Sequence, residues 1–111
     1  MKILPLLLLA ALGGCVYTPE RLLEEGTRYE WRSTQQPRDA GLCFARNAAN
    51  STKGSWRPTP PRPLTDRGAY RVTIAGWGMA DFEPAGTGSR VIVLVRPGTG
   101  ASYVSEFMEG C

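Results

Sequence analysis

The chain has 111 residues, with 13 lysines and arginines, 10 aspartates and glutamates and no histidine, which gives a formal charge of +3 at pH 7. This length fits one domain with a modest hydrophobic core. The small positive charge is not the signature of a nucleic-acid-binding protein. The lack of histidine excludes Ser-His and Cys-His catalytic dyads and histidine-based zinc sites.

The N-terminal segment has the layout of an export signal. Lys2 supplies a positive charge, residues 3–12 form an apolar run, and Gly13 and Gly14 precede Cys15. The run is too short to cross a bilayer, because a transmembrane helix needs roughly 17–25 residues. It fits a secretory signal peptide that ends in small residues. An ordinary secretory signal followed by a coincidental cysteine is the alternative interpretation.

The ending Leu12-Gly13-Gly14-Cys15 resembles the lipobox of bacterial lipoproteins. The resemblance implies that the chain is cleaved before Cys15, that its sulfur carries diacylglycerol and that the new N-terminal amine is acylated. The chain then divides into a signal peptide (1–14), a short lipid tether (15–17) and a single domain (18–111). Two or three acyl chains anchor a protein stably, since each buried methylene contributes about 0.8 kcal/mol.

The tether and the residue after the cysteine predict a location. Position 16 is Val rather than Asp, which by resemblance to the enterobacterial sorting rule implies the outer membrane. The tether reaches only about 10–14 Å at about 3.5 Å per residue, so we expect the domain to lie against the membrane. The predicted location is the bacterial cell envelope, lipid-anchored at the outer membrane and facing the periplasm.

Two cysteines remain if Cys15 carries the lipid. An exported chain folds in an oxidising compartment, and Cys43 and Cys111 can pair with each other in only one way. The predicted bridge closes a loop of about 69 residues, which stabilises the fold by about 4 kcal/mol in the chain-entropy model. A free or intermolecular thiol is the alternative.

Two helices are predicted in the first half of the chain. The first begins at Thr18-Pro19-Glu20, where Thr is the N-cap and Pro the first helical residue, and it ends at Gly26. The second covers residues 37–50 and has one inward stripe at the spacing of an amphipathic helix. The stripe consists of Ala40, Cys43, Phe44, Asn47 and Ala48.

Two further segments are harder to assign from their pattern. Residues 28–32 alternate between charged and aromatic types, which predicts a short edge strand or an extended arm. Residues 51–68 include four prolines between positions 58 and 63, which favour polyproline II geometry and predict a solvated loop.

The last third of the chain is predicted to be β. Residues 70–75 alternate as a half-buried strand does. Residues 91–95 form a continuous apolar run and are predicted as the central strand, covered on both faces. A turn at 97–100 precedes a final strand over 103–108, and residues 76–89 are predicted to be a glycine-rich loop.

These elements predict an α+β fold: two short helices, then a three-stranded antiparallel meander, with a helix packed on the sheet and one disulfide. The order, the size and the lipid anchor resemble those of small lipoproteins that assist the assembly of outer-membrane barrels. The resemblance lies in element order, size and anchor alone, and it implies an accessory role in the envelope.

No catalytic residue, cofactor or metal site is predicted. Asp81 and Glu83 lie in the glycine-rich loop and are predicted to be solvated. We expect a non-enzymatic envelope lipoprotein that is held to the membrane through Cys15, contacts an envelope protein and does not bind nucleic acid. A periplasmic ligand-binding or enzyme-inhibitor module is the alternative, since exposed tryptophans are frequent binding hot spots. The predicted contact residues are Trp56, Arg57, Arg62 and Trp77.

Overall fold

A computed structural model describes residues 18–64 and 67–111. The predicted signal peptide, Cys15 and the tether lie outside these residues. The described chain contains three helices, α1 (Pro19–Glu25), α2 (Pro37–Ala49) and α3 (Ala101–Phe107). It also contains five strands, β1 (Thr27–Ser33), β2 (Arg62–Pro63), β3 (Tyr70–Ile74), β4 (Gly78–Ala85) and β5 (Gly88–Val95).

The five strands form one antiparallel sheet in the order β1-β5-β4-β3-β2. Because side chains alternate along each strand, the sheet has two distinct faces. Helices α2 and α3 pack on one of them, which we call the helix-covered face. Helix α1 covers one end of the other, and we call the remainder of that side the open face.

The core lies between α2, α3 and the helix-covered face, and Phe44 is at its centre. Its ring lies 6.0 Å from that of Trp77, 5.5 Å from Phe82 and 5.6 Å from Phe107. All four side chains are buried, and each contributes about 1.5–3 kcal/mol by leaving water. The predicted stripe of α2 is confirmed, since Ala40, Phe44 and Ala48 are fully buried.

Helix α1 begins and ends as its sequence predicts. The Thr18 hydroxyl accepts a hydrogen bond from the Arg21 N–H at 3.3 Å, and the N–H of Gly26 donates to the Leu22 carbonyl at 2.9 Å. Leu22 is buried against Met79 and Leu94 at the end of the sheet. Among the three helices of the described residues, none is both long and apolar enough to cross a membrane.

The predicted disulfide between Cys43 and Cys111 is present, with 5.8 Å between the Cα atoms. It joins α2 to the last residue of the chain. The Ser33 hydroxyl donates to the Cys111 carbonyl, and the side-chain amide of Asn47 donates to the carbonyls of Phe107 and Glu109, each at 2.9 Å. These contacts fix the C-terminal residues against both the sheet and α2.

The α+β class is confirmed, but two helices and three strands understate the fold. Residues 76–89 are not a loop: they contain β4, which lies at the centre of the sheet, and tight turns at Gly76 and Gly86. The edge strand predicted at 28–32 is present as β1. The five-strand order places residues 91–95 beside β4 rather than at the centre.

The predicted final strand is also wrong, because residues 101–107 form helix α3. Tyr103, Val104 and Phe107 follow the i, i+1, i+4 spacing of a helix, and this spacing outweighs the β preference of their side chains. The observed order, α-β-α-β-β-β-β-α, also differs from the element order on which the resemblance to barrel-assembly lipoproteins depends.

Candidate functional site

A concave apolar pocket of about 260 Å³ lies between α1 and the β3–β4 turn. We call it the α1 pocket. Its wall is mostly hydrophobic, and one cation, the exposed Arg96, lies on its lining. An apolar cavity with few polar groups is the usual form of a small-molecule site. The lining consists of Pro19, Leu22, Thr73, Ile74, Ala75, Gly76, Trp77, Gly78, Met79 and Arg96.

Two glycines shape the wall of this pocket. Gly76 has a φ of +77°, which glycine adopts at little cost, and it makes the turn between β3 and β4. A Cβ on Gly78 would lie 2.1 Å from the carbonyl oxygen of Leu94, so β4 and β5 approach closely only because this residue is glycine. The turn between β3 and β4 thereby places Trp77 beneath the end of the sheet.

Trp77 connects the pocket to the core. The side chain is 1% exposed, and its ring lies 5.1 Å from that of Phe107. Its backbone carbonyl accepts a hydrogen bond from the backbone N–H of Arg96 at 3.0 Å, which fixes the main chain of Arg96 beside the pocket. The indole Nε1 is buried and has no hydrogen-bond partner among the described residues. Such an unpaired donor costs about 1–3 kcal/mol.

The open face of the sheet carries a network of ion pairs. Arg71 donates to both carboxylate oxygens of Asp81, at 2.7 and 2.9 Å, from the neighbouring strand. Glu30 accepts from Arg90 at 2.6 Å and from Arg28 at 2.7 Å. These hydrogen bonds, from Arg90 first and then from Arg28, lower the pKa of Glu30 below its ordinary value.

A third cluster lies where the proline-rich segment meets α3. The rings of Trp56 and Tyr103 are perpendicular, with centroids 5.9 Å apart. The Lys53 ammonium lies 5.5 Å from the Tyr103 ring centroid and 3.2 Å from the Glu106 carboxylate. Hydrogen bonds from Ser51 and Lys53 lower the pKa of Glu106. This cluster attaches the segment to α3 and leaves little of Trp56 free for a partner.

The four predicted contact residues do not form one surface. The expected exposure of Trp77 is wrong, because the β3–β4 turn directs its side chain into the core. Trp56 is half-buried against Tyr103, whereas Arg57 and Arg62 are exposed and form no ion pair with a described residue. Only these two arginines have the accessibility that the prediction requires.

Neither the α1 pocket nor the Arg71–Asp81 pair is predicted from the sequence, because residues 76–89 are expected to form a loop. Asp81 lies in β4 and pairs with Arg71 rather than lying in a solvated loop, and Arg96 is not among the predicted site residues. Alternation was visible in this segment: Met79, Asp81 and Glu83 face one side of β4, and the residues between them face the core. The glycines and Pro84 obscured that period of two.

The described part of the chain contains no group of three or more Cys, Asp or Glu residues that could hold a metal ion. No protein-family model, curated protein or solved structure matches this chain.

Proposed function

We propose that this chain is a small, non-enzymatic lipoprotein of the bacterial envelope, anchored through Cys15 at the outer membrane and facing the periplasm. It acts by contact with another envelope protein. It uses no cofactor or metal and does not bind nucleic acid. The lipid at Cys15 supplies its membrane contact.

The observation that carries this proposal is the Cys43–Cys111 disulfide. Disulfides persist in oxidising compartments and are rare in the cytosol of most organisms, so the bridge supports export. The lipobox-like residues before Cys15 make lipidation the simplest means of retention after export.

The start of α1 supports a position close to the membrane. Helix α1 begins at Pro19, four positions after Cys15, and is fixed to the sheet through Leu22. Four residues span at most about 14 Å. A lipidated Cys15 would therefore hold α1, the α1 pocket and the end of the sheet near the bilayer.

Lipidation is tested by labelling cells with a fatty acid that carries a clickable group. The chain should incorporate the label and float with outer-membrane vesicles. The Cys15→Ser variant should lose the label, whereas Cys43→Ser, in which a different cysteine is removed, should keep it. A wild-type chain without label, or one recovered with the inner membrane, contradicts the proposed anchor or its location.

Contact with an envelope protein is tested in living cells with a photo-crosslinking residue at Arg57 or Arg62. Both side chains are exposed, and Thr87, in the β4–β5 turn, provides a matched control. A dominant envelope protein captured from one position and absent from the control supports the proposal. Capture of lipid alone, or equal capture from all three positions, opposes a fixed protein partner.

The α1 pocket favours a second candidate function, the binding of a small amphiphile. Its apolar wall suits one acyl chain, and Arg96 suits an anionic head group on the same molecule. This candidate corresponds to the ligand-binding alternative predicted from the sequence, and of the predicted contact residues only Trp77 lines the pocket.

Trp77 provides the measurement, because it lines the pocket. In a chain with Trp31→Phe and Trp56→Phe, titration with a lysophospholipid below its micelle concentration should change the Trp77 emission to a saturating value. Arg96→Gln should weaken the binding of an anionic lipid at least tenfold and leave that of a neutral one unchanged. Emission that never saturates, or equal losses for both lipids, contradicts this function.

A further inference from the structure

Strand β1 is the long free edge of the sheet. Within the described residues it pairs only with β5, through all seven of its residues, whereas the other edge is the two-residue β2, which contains Pro63. An unpaired strand of this length is a template for another strand. Edges are commonly protected by charged side chains, and β1 carries Arg28, Glu30 and Arg32 at alternate positions.

The register of the sheet shows which backbone groups β1 offers. The N–H of Arg96, just after β5, donates to the carbonyl of Trp77, just before β4. The backbone hydrogen bonds of an inner antiparallel strand alternate between its two neighbours, so the even-numbered residues of β5 bond to β4. The odd-numbered residues, including Val91, bond to β1. Trp31 lies opposite Val91 and therefore bonds inward. The residues on either side of Trp31 direct their backbone N–H and C=O groups to the free edge.

Arg32 lacks a counter-charge in its own sheet. It lies opposite Arg90 in the register, and like charges in this arrangement repel each other. Glu30, the acid on the same strand, already accepts from Arg28 and Arg90. Arg32 makes no ion pair with any described residue.

We propose that β1 pairs antiparallel with β1 of a second copy of this chain, with the twofold axis at Trp31. Each Glu30 then lies opposite Arg32 of the other copy in a hydrogen-bonded pair. The two Trp31 side chains meet as a non-hydrogen-bonded pair, in which side chains approach most closely. The pairing gives Arg32 a carboxylate and covers Trp31, which is 38% exposed.

Neighbouring registers satisfy these charges less well. An axis at Glu30 places that carboxylate opposite its own copy and Arg28 opposite Arg32, so that like charges meet throughout. An axis at Tyr29 pairs Arg28 with Glu30 but leaves Arg32 opposite Gly26. The alternation of charges on β1 therefore selects one register of self-association.

The proposed dimer is reversible, because the pairing of one seven-residue strand buries less surface area than a standard interface, which buries about 1,200–2,000 Å². The inference depends on β1 alone and does not depend on lipidation or on the α1 pocket. A test of self-association therefore fails or succeeds separately from the tests of the proposed function.

The register is tested with single added cysteines in the full chain, in membranes or detergent, under a mild oxidant. The thiol introduced by Trp31→Cys should form a disulfide with the same thiol of a second copy, since the paired Cα atoms would be about 4.5 Å apart. Glu30→Cys is the matched control. In the proposed register residue 30 of one chain lies two residues away from residue 30 of the other, with about 8 Å between their Cα atoms, so the two introduced thiols should not cross-link.

The proposal is supported if Trp31→Cys forms a dimer that mass spectrometry shows to be joined through the introduced thiol. Neither the control nor the wild-type chain should form this dimer. The wild-type chain reveals any dimer made through Cys15. No dimer above the wild-type level, equal dimer from Glu30→Cys, or cross-linking of the Trp31→Cys chain only to a different protein overturns it.

Charge reversal provides a second test that needs no added cysteine. Arg32→Glu and Glu30→Arg should each weaken self-association at least tenfold in sedimentation velocity, because each places like charges opposite one another. Mixing the two variants should restore a dimer of one copy of each, since every pair across the axis is again opposite in charge. A monomeric wild-type chain at all concentrations, or a mixture no stronger than its components, overturns the proposal.

Discussion

Gly78 allows strands β4 and β5 to approach each other closely. A Cβ at this position would lie 2.1 Å from the Leu94 carbonyl oxygen and 2.8 Å from the Cα of Val95. Both contacts are with backbone, so a side-chain rotation does not relieve them. The local structure at residue 78 thus sets the spacing between β4 and β5, and with it the shape of the α1 pocket.

We therefore expect Gly78→Ala to lower the free energy of unfolding by at least about 2 kcal/mol, because β4 must shift to admit the methyl group. Gly100→Ala is the control, since a Cβ there would meet only the Ser102 hydroxyl at 3.8 Å, and its cost should stay below about 1 kcal/mol. Urea unfolding followed by circular dichroism measures both. Equal losses for the two variants contradict this account of Gly78.

Asn47 holds the C-terminal residues by two hydrogen bonds from one amide. The carbonyls of Phe107 and Glu109 both accept from its Nδ2 at 2.9 Å, just beyond the last turn of α3. An asparagine in the apolar stripe of α2 is explained by this contact, because the carbonyls at the end of a helix lack partners within the helix.

Asn47→Ala should lower the free energy of unfolding by about 1–3 kcal/mol, since it leaves both carbonyls unpaired. The matched control is Asn50→Ala at the end of the same helix, where the side chain is exposed and makes no hydrogen bond to a described residue. Hydrogen exchange at residues 107–111 should also quicken in Asn47→Ala alone. Unchanged exchange there would show that the disulfide by itself holds this segment.

At the scale of the elements, the two faces of the sheet serve different purposes. The helix-covered face buries the valines of β5 against α2 and α3, whereas the open face is held by charges that link β1 to β5 and β3 to β4. The ion pairs of Glu30 with Arg28 and Arg90 are exposed and contribute modestly. Their effect on stability follows the protonation of Glu30.

The pKa of Glu30 is lower in the folded state than in the unfolded chain, because Arg90 and Arg28 donate to its carboxylate. Its stabilisation is therefore complete above the ordinary pKa of 4.5 and is lost as the pH falls through the folded-state value. Wild type should be more stable than Glu30→Gln at pH 7, and the difference should vanish in acid. In an Arg90→Gln background most of the pH-dependent difference should disappear; if it persists, Arg90 is not its cause.

The success of sequence-based prediction differed between elements for physical reasons. Helix α2 and the start of α1 were predicted because a stripe and a Thr-Pro cap are local signals. Strand β4 was missed because Gly78, Ala80 and Pro84 have weak strand preferences, which obscured the alternation along the segment. Helix α3 was missed because aromatic and β-branched residues favour strands, and only its packing on Phe44 settles the choice.

The candidate site was less predictable than the fold. The α1 pocket exists because α1, near the start of the chain, lies across the turn between β3 and β4. No sequence pattern links those segments. The Cys43–Cys111 bridge is the exception: a count of cysteines in an exported chain predicted a contact between residues 68 positions apart.

On the scale of the whole molecule, residue Cys111 is attached to both α2 and β1. Cys111 is covalently joined to α2, and its carbonyl accepts from Ser33 at the end of β1. Helix α3 is only seven residues long and would be marginal alone. The bridge therefore secures an element on which the core depends, since Val104 and Phe107 are fully buried.

Replacing both Cys43 and Cys111 by Ser should lower the free energy of unfolding by about 4 kcal/mol, because the unfolded chain regains the entropy of a loop of about 69 residues. This approaches the whole stability of a small domain, about 5–15 kcal/mol, so α3 should lose its protection against hydrogen exchange before the sheet does. Reduction of the wild-type chain should have the same effect, and Cys15→Ser, which leaves the bridge intact, should have none. A loss below about 1 kcal/mol would mean that Asn47, Ser33 and the packing of Phe107 hold the C-terminus without covalent help.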